Sequence, residues 1–218
     1  MSSSAPADAT AAADTTPQLY KRINRNEKFK VVSEQEAYRR YISVWHRKVE
    51  YPDGRVVDWD VAGHDTPNPS FSVTFPFDTK SKTTSLIIEY AQGTNDLKYT
   101  FAAGGFDTKK HKTIMDTARQ ELSEESRLTG GTWISLLPEG HEGIGELKWC
   151  RNRFIPFLVL DPVPDTHPRS RDAEELIEIR RNVSIDDLKK LIMQGELMLP
   201  SVQTAWMALE YLQKEGLL

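Results

Sequence analysis

The stretch Thr117-Ala118-Arg119-Gln120-Glu121-Leu122-Ser123-Glu124-Glu125 decides the fold. Its glutamates Glu121, Glu124 and Glu125 fall at i, i+3 and i+4. In an α-helix that spacing stacks side chains on one face. Like charges so placed repel by roughly a few tenths of a kcal/mol per pair. A divalent cation, which takes hard oxygen ligands, is their natural partner. Ile114, Ala118 and Leu122 recur every fourth residue and predict the core-facing stripe. The glutamates are then expected beside that stripe, at the solvent edge.

Upstream, Tyr99-Thr100-Phe101-Ala102-Ala103-Gly104-Gly105-Phe106-Asp107 reads as a strand ending in a glycine pair. The polar, basic run Thr108, Lys109, Lys110, His111, Lys112 follows it. The order is therefore strand, glycine-bearing loop, acidic helix. Glycine lets a backbone approach a ligand closely and turns N–H groups toward phosphate oxygens. A charge run on a helix is more often only a solvated face.

This succession resembles the signature of the Nudix hydrolase family. That pattern runs Gly, five residues, Glu, seven residues, Arg-Glu-Leu-any-Glu-Glu-any-Gly. Glu121-Leu122-Ser123-Glu124-Glu125 fits it directly. The resemblance implies an α+β fold, an α/β/α sandwich with a mixed sheet. It also implies Mg²⁺ (or Mn²⁺) held by Glu121, Glu124 and Glu125. The departures are specific. The family's arginine falls at Gln120, beside Arg119, its upstream glutamate at Lys112 and its closing glycine at Arg127. The glycine pair sits further upstream than the pattern has it, which implies a longer loop. Gln120 can hydrogen-bond but lacks arginine's charge and planar fork.

The length of 218 residues suits one domain with a modest addition, and 39% hydrophobic residues suffice for a core. A net charge of −4 gives no general attraction to nucleic acid or to an anionic membrane. No apolar run approaches the roughly 20 residues that span a bilayer. The single cysteine, Cys150, excludes an internal disulfide and allows a reducing, cytoplasmic setting. It reads as a small hydrophobe rather than a catalytic thiol. Residues 1–17 are rich in Ala, Ser, Thr and Asp and are expected to be a disordered tail without a signal's apolar run. The cluster Lys21-Arg22, Arg25, Lys28 and Lys30 resembles a weak nucleic-acid patch, but no interleaved aromatics support it.

Residues 18–65 read as a β-rich N-terminal unit and residues 66–218 as the main domain. Tyr41–Tyr51 and Arg55–Ala62 predict a hairpin about Pro52-Asp53-Gly54. Phe71–Phe75, Ser85–Ala91, Leu97–Ala102, Thr132–Leu137, Arg153–Leu160 and Leu176–Arg181 read as strands. Pro156 marks the fifth of these as bulged or at an edge. Asp161–Arg171, with Pro162, Pro164 and Pro168, reads as a loop. Ser184 caps a helix that ends at Gly195. A last helix opens at Pro200-Ser201 with the stripe Ala205, Leu209, Leu212 and Trp206 nearby.

That order is similar to the ADP-ribose and ADP-sugar diphosphatase branch of the family. The match rests on the hairpin, on Ile87-Ile88-Glu89-Tyr90 and on Glu174-Glu175-Leu176-Ile177-Glu178-Ile179. Lys148-Trp149-Cys150-Arg151-Asn152-Arg153 stands where the branch has a Ser-Pro-Gly loop with an acid. The resemblance implies hydrolysis of ADP-ribose or an ADP-sugar to AMP and a sugar phosphate. It places the general base at Glu174 or Glu175, and it implies a homodimer formed through the N-terminal unit. Gly104, Gly105, Arg153 and Lys109 are the expected substrate contacts, with Lys148, Arg151, Lys110 and Lys112 as further candidates. Trp45, Trp59 or Tyr90 could stack a base, although aromatic side chains are more often core. His111 is expected in solvent. The competing reading is a nucleotide- or protein-binding module with weak or no turnover. A hydrolase for coenzyme A, diphosphoinositol or dinucleotide substrates would share the chemistry but not the pocket.

Overall fold

The computed structural model describes residues 29–66, 68–171 and 176–218. The tail 1–17, the cluster Lys21 to Lys28 and the candidate bases Glu174 and Glu175 lie outside the described residues. The elements are β1 (Lys30–Arg39), β2 (Ser43–Glu50), β3 (Val56–Gly63), β4 (Ser70–Asp78), β5 (Thr83–Ala91), β6 (Asp96–Thr100) and β7 (Ala102–Gly105). There follow α1 (Ile114–Ser126), β8 (Leu128–Thr129), β9 (Thr132–Ser135), β10 (Ile144–Gly145), β11 (Arg153–Leu160) and β12 (Val163–Pro164). β13 (Ile177–Ser184), α2 (Ile185–Met193) and α3 (Leu199–Lys214) close the chain.

β1, β2 and β3 form a three-stranded sheet in that order. One compact unit takes in the distal part of this sheet, residues 29–35 and His46–Asp60. Its β2–β3 turn is built as the residues dictate. Gly54 adopts φ +82°, and the Asp53 carboxylate accepts from the Arg55 backbone N–H at 3.1 Å. Lys30 Nζ meets Glu50 Oε2 at 2.8 Å, and His46 Nδ1 lies 2.7 Å from Asp60 Oδ1. Both pairs are exposed, so they contribute little to stability.

The second unit, Glu36–Trp45 with Val61–Leu218, carries the main sheet. Its strand order is β10-β11-β4-β5-β13, with β6 on β5, β7 on β4 and β9 on β11. β11 and β4 run parallel over Arg153–Leu160 and Ser70–Phe77, and the other pairings are antiparallel. β4 and β5 pair only near their turn, at Phe77↔Thr84 and Asp78↔Thr83. The stretch expected as one strand from Tyr99 is therefore two. The chain leaves β5 at Thr100, turns at the fully buried Phe101, and pairs with β4 from Ala102 onward.

Strand alternation sends neighbouring residues to opposite faces. Val73, Phe75, Phe77 and Leu86 face one layer, where Leu188, Ala205, Ala208 and Leu212 of α2 and α3 complete a core. Ile87, Ala102 and Val159 face the other, against Leu122 of α1. The result is a mixed sheet between helices. It is an α+β architecture, with a β-rich N-terminal unit besides the main sheet.

Pro156 is neither bulged nor at an edge. β11 keeps continuous register with β4, Pro156 opposite Val73. Its carbonyl accepts from Leu136 N–H at 3.1 Å, so the position lacking an N–H faces the gap between β10 and β9. The missing donor costs no ladder bond there. The glycine pair is likewise part of a strand rather than of the following loop. Gly104 and Gly105 sit opposite Ser72 and Phe71 with ordinary β pairing. The loop proper is residues 106–113.

Candidate active site

α1 begins where the residues order it to. The Thr113 hydroxyl accepts from Asp116 N–H at 3.2 Å while the Asp116 carboxylate accepts from Thr113 N–H at 2.9 Å. This reciprocal cap satisfies two donors that the first turn leaves open. Hydrogen bonding of the carboxylate itself to Thr113, by the side chain first and the backbone N–H after it, holds the Asp116 carboxyl below the usual carboxylate range. The helix ends at Arg127, which adopts φ 52° and ψ 38°. That left-handed turn is where glycine commonly stands. Arg171 meets the exposed carbonyls of the last turn. Its Nη2 donates to Glu125 O at 3.0 Å, its Nε to Glu124 O at 3.3 Å and its Nη1 to Ile177 O at 3.0 Å. A cation at this end also complements the helix dipole.

The glutamates do not all lie at the solvent edge. Glu125 is buried, and its Oε2 accepts from Ala103 N–H at 2.8 Å. Glu121, one turn earlier, rests over Gly104: a Cβ built there would stand 2.0 Å from Glu121 Oε1. Glu124 is half-buried. α1 packs closely on β7, so carboxylates at i and i+4 meet consecutive backbone units of that strand. Among the described residues no three His, Cys, Asp or Glu side chains converge on one point. The donors are hard oxygens, and Mg²⁺ ordinarily takes only one or two protein carboxylates, filling its shell with waters and substrate oxygens. The residues present fit that mode and not an all-protein cage.

Behind the helix, Ser72, Thr74 and Thr117 are fully buried, and their hydroxyls have no hydrogen-bond partner among the described residues. Ser72 and Thr74 lie opposite Gly104 and Ala102, on the α1 face of β4. The interface under the carboxylates is thus more polar than a packed apolar seam.

A network on the other flank fixes the segment before β13. Ser123 Oγ donates to Asp165 Oδ2 at 2.6 Å and accepts from Arg169 N–H at 3.2 Å. The Ser123 bond is the main reason that the Asp165 carboxyl lies below the usual range. Gln120 Oε1 accepts from His111 Nε2 at 3.1 Å and from Arg169 Nη1 at 2.9 Å. A guanidinium therefore does stand against position 120, delivered by the late loop. His111 is buried, contrary to its expectation as a solvent residue. Stacking on Phe106 and the bond to Gln120 hold it in.

Other expected contacts have structural employment. Arg151 lies 4.4 Å from the ring centroid of Trp45, which is buried, so Trp45 offers no open face there. Arg153 Nη1 donates to Gly143 O at 3.1 Å, at the sheet end that also carries Gly105. Lys109 is exposed; its backbone N–H donates to Asp107 Oδ1 at 2.8 Å. Tyr90 is half-exposed and its hydroxyl donates to Asn95. Cys150 is partly buried, and burial pushes its thiol up to about 11, which leaves little thiolate for catalysis. The sequence reading missed Ser123, Asp165, Arg169 and Arg171 as organisers. Two arginines inside a proline-rich loop, Arg169 and Arg171, were the available signal.

Among the described residues no helix is long and apolar enough to cross a membrane. No protein-family model and no curated protein sequence matches this chain. Solved structures do match. A crystal structure of an ADP compounds hydrolase aligns with a TM-score of 0.70 and 17% identity, covering 88% of this chain and 98% of that one. Nearly the whole of that enzyme's fold is therefore present here, and the similarity at this identity is one of architecture.

Proposed function

We propose that this chain hydrolyses a nucleoside diphosphate linked to another moiety, ADP-ribose or an ADP-sugar, to AMP and a sugar phosphate. The observation that carries this is the seating of Glu121 and Glu125 on successive residues of β7, with Gly104 bare beneath Glu121. A glycine pressed by a carboxylate makes sense where that carboxylate must be held in one place. The architecture shared with an ADP compounds hydrolase supports the same reading.

Glu121, Glu124 and Glu125 would hold Mg²⁺ or Mn²⁺. When bound, such an ion neutralises charge developing on the phosphoryl oxygens. The chain's own residues supply position and proton transfer. Ala103 N–H fixes Glu125, and Arg171 secures the helix end that carries Glu124 and Glu125. Glu174 or Glu175, a few residues past Arg171, serves as general base for the attacking water. Gly104, Gly105, Arg153 and Lys109 make up the substrate contacts, and the chain works as a homodimer.

Phosphate-ester release from ADP-ribose, ADP-glucose, NADH and diadenosine polyphosphates, with and without Mg²⁺, tests the proposal. Metal-dependent AMP formation from an ADP-sugar is expected. Binding of nucleotide with no turnover of any member would establish the second reading, a recognition module. The observation favouring that reading is Gln120, whose carbonyl is taken up by His111 and Arg169.

A further inference from the structure

We propose that the outer face of α1 carries a second ligand site, for a phosphate-bearing polyanion, distinct from the carboxylate ridge. An open cleft of about 560 Å³ lies there, walled by α1, the loop before it and the late loop. Its helix residues are Asp116, Arg119, Gln120 and Ser123. At about 100° per residue they centre across the helix from Glu121 and Glu125, while Glu124, four residues after Gln120, borders that face. The cleft is strongly cationic. Lys110, Lys112, Arg119 and Arg169 line it, with His111 and His167.

Two carboxylates also line it, Asp116 and Asp165, but both are engaged locally. Asp116 is spent on the cap of α1 and Asp165 on Ser123 and His167 N–H. Four fixed cations therefore face two hydrogen-bonded acids. Lys110 and Lys112 are both exposed at the rim. The floor is preorganised, because the buried His111 and the exposed Arg169 share the Gln120 carbonyl oxygen. Phosphate oxygens suit such a mixture of ammonium and guanidinium donors.

Occupancy would have a mechanical consequence. Lys110 and Lys112 belong to the loop before α1, and Arg169 to the late loop. A polyanion spanning them fastens the late loop to the helix, close in sequence to Glu174 and Glu175. The site therefore acts as an effector site that steadies the late loop.

The site does not require the hydrolase reading, in which Lys110 and Lys112 are further candidate substrate contacts, and it is tested apart from it. Tripolyphosphate binding is measured by calorimetry in EDTA, so that no metal bridges the ligand to the glutamates. Saturable binding of one tripolyphosphate per chain is expected. It weakens roughly tenfold or more in K110E/K112E, the loss expected on replacing two charge-assisted contacts with repulsion. It persists in E121Q/E125Q, and amide exchange slows over residues 165–171 on binding. Both lysines are exposed, so K110E/K112E folds, as thermal melting verifies. No saturable binding, binding unaffected by K110E/K112E, or binding lost in E121Q/E125Q would overturn the proposal.

Discussion

Gly104 and Glu121 compete for one space: a methyl group on Gly104 would lie 2.0 Å from Glu121 Oε1 and 2.5 Å from its Cγ. The backbone at Gly104 is ordinary strand, paired with Ser72, so conformational freedom is not what glycine supplies here. It supplies room. The carboxylate occupies the volume of the missing side chain.

Gly104→Ala should therefore fold and lose turnover. The colliding atoms belong to a flexible side chain that can swing away, but Glu121 would then leave its place. A displacement of this size costs on the order of 100-fold in kcat. Steady-state kinetics on the ADP-sugar substrate, beside thermal melting, separates the two effects. Wild-type kcat in this variant would show that the position of Glu121 is irrelevant to the chemistry.

Glu125 distinguishes charge from hydrogen bonding. Glu125→Gln keeps an acceptor for Ala103 N–H, so the unfolding midpoint should change little while turnover falls. Glu125→Ala strands that N–H and should cost a further ~1–3 kcal/mol of stability. Denaturant unfolding of both variants, with rates at saturating Mg²⁺, gives the comparison. Equal stability of the two would mean that the bond to Ala103 contributes nothing.

Thr117→Val is expected to stabilise the protein by about 1 kcal/mol. Thr117 Oγ1 is buried without a partner among the described residues, and valine has nearly the same shape. Urea denaturation reads the change in midpoint. A clear loss of stability would mean that this hydroxyl is satisfied in solution, for instance by a buried water.

Acid should loosen the late loop through Asp165. Its carboxyl is held below the ordinary value, by Ser123 first and then by His167 N–H. A depressed folded pKa means that its stabilisation is complete above the unfolded value, roughly 3.9. It is lost as pH falls through the folded value. Amide exchange over residues 165–171 should rise in that acid window and should not rise further in Ser123→Ala. Flat protection across the window in the wild type would dismiss the Ser123–Asp165 link.

Much of the architecture was legible in the sequence because it depends on neighbours in the chain. The i, i+3, i+4 carboxylates and the Ala118–Leu122 stripe placed α1. Pro52-Asp53-Gly54 placed the hairpin turn, and Ser184 placed the start of α2. Even the αL turn at Arg127 fell where the signature has a glycine. Periodicity and capping act over a few residues, so one sequence suffices to read them.

What stayed hidden depends on partners far along the chain. Helical periodicity set Glu125 beside the core stripe, but only packing against β7 buried it and brought it to Ala103, 22 residues earlier. The break at Phe101 exists because β4 and β5 diverge, and no local signal records that divergence. Arg169 and Arg171 read as loop charges until folding set them on Gln120 and on the last turn of α1. A residue's short-range pattern decides which face it takes. Which surface meets that face is settled by strand order and register, which pair groups dozens of residues apart.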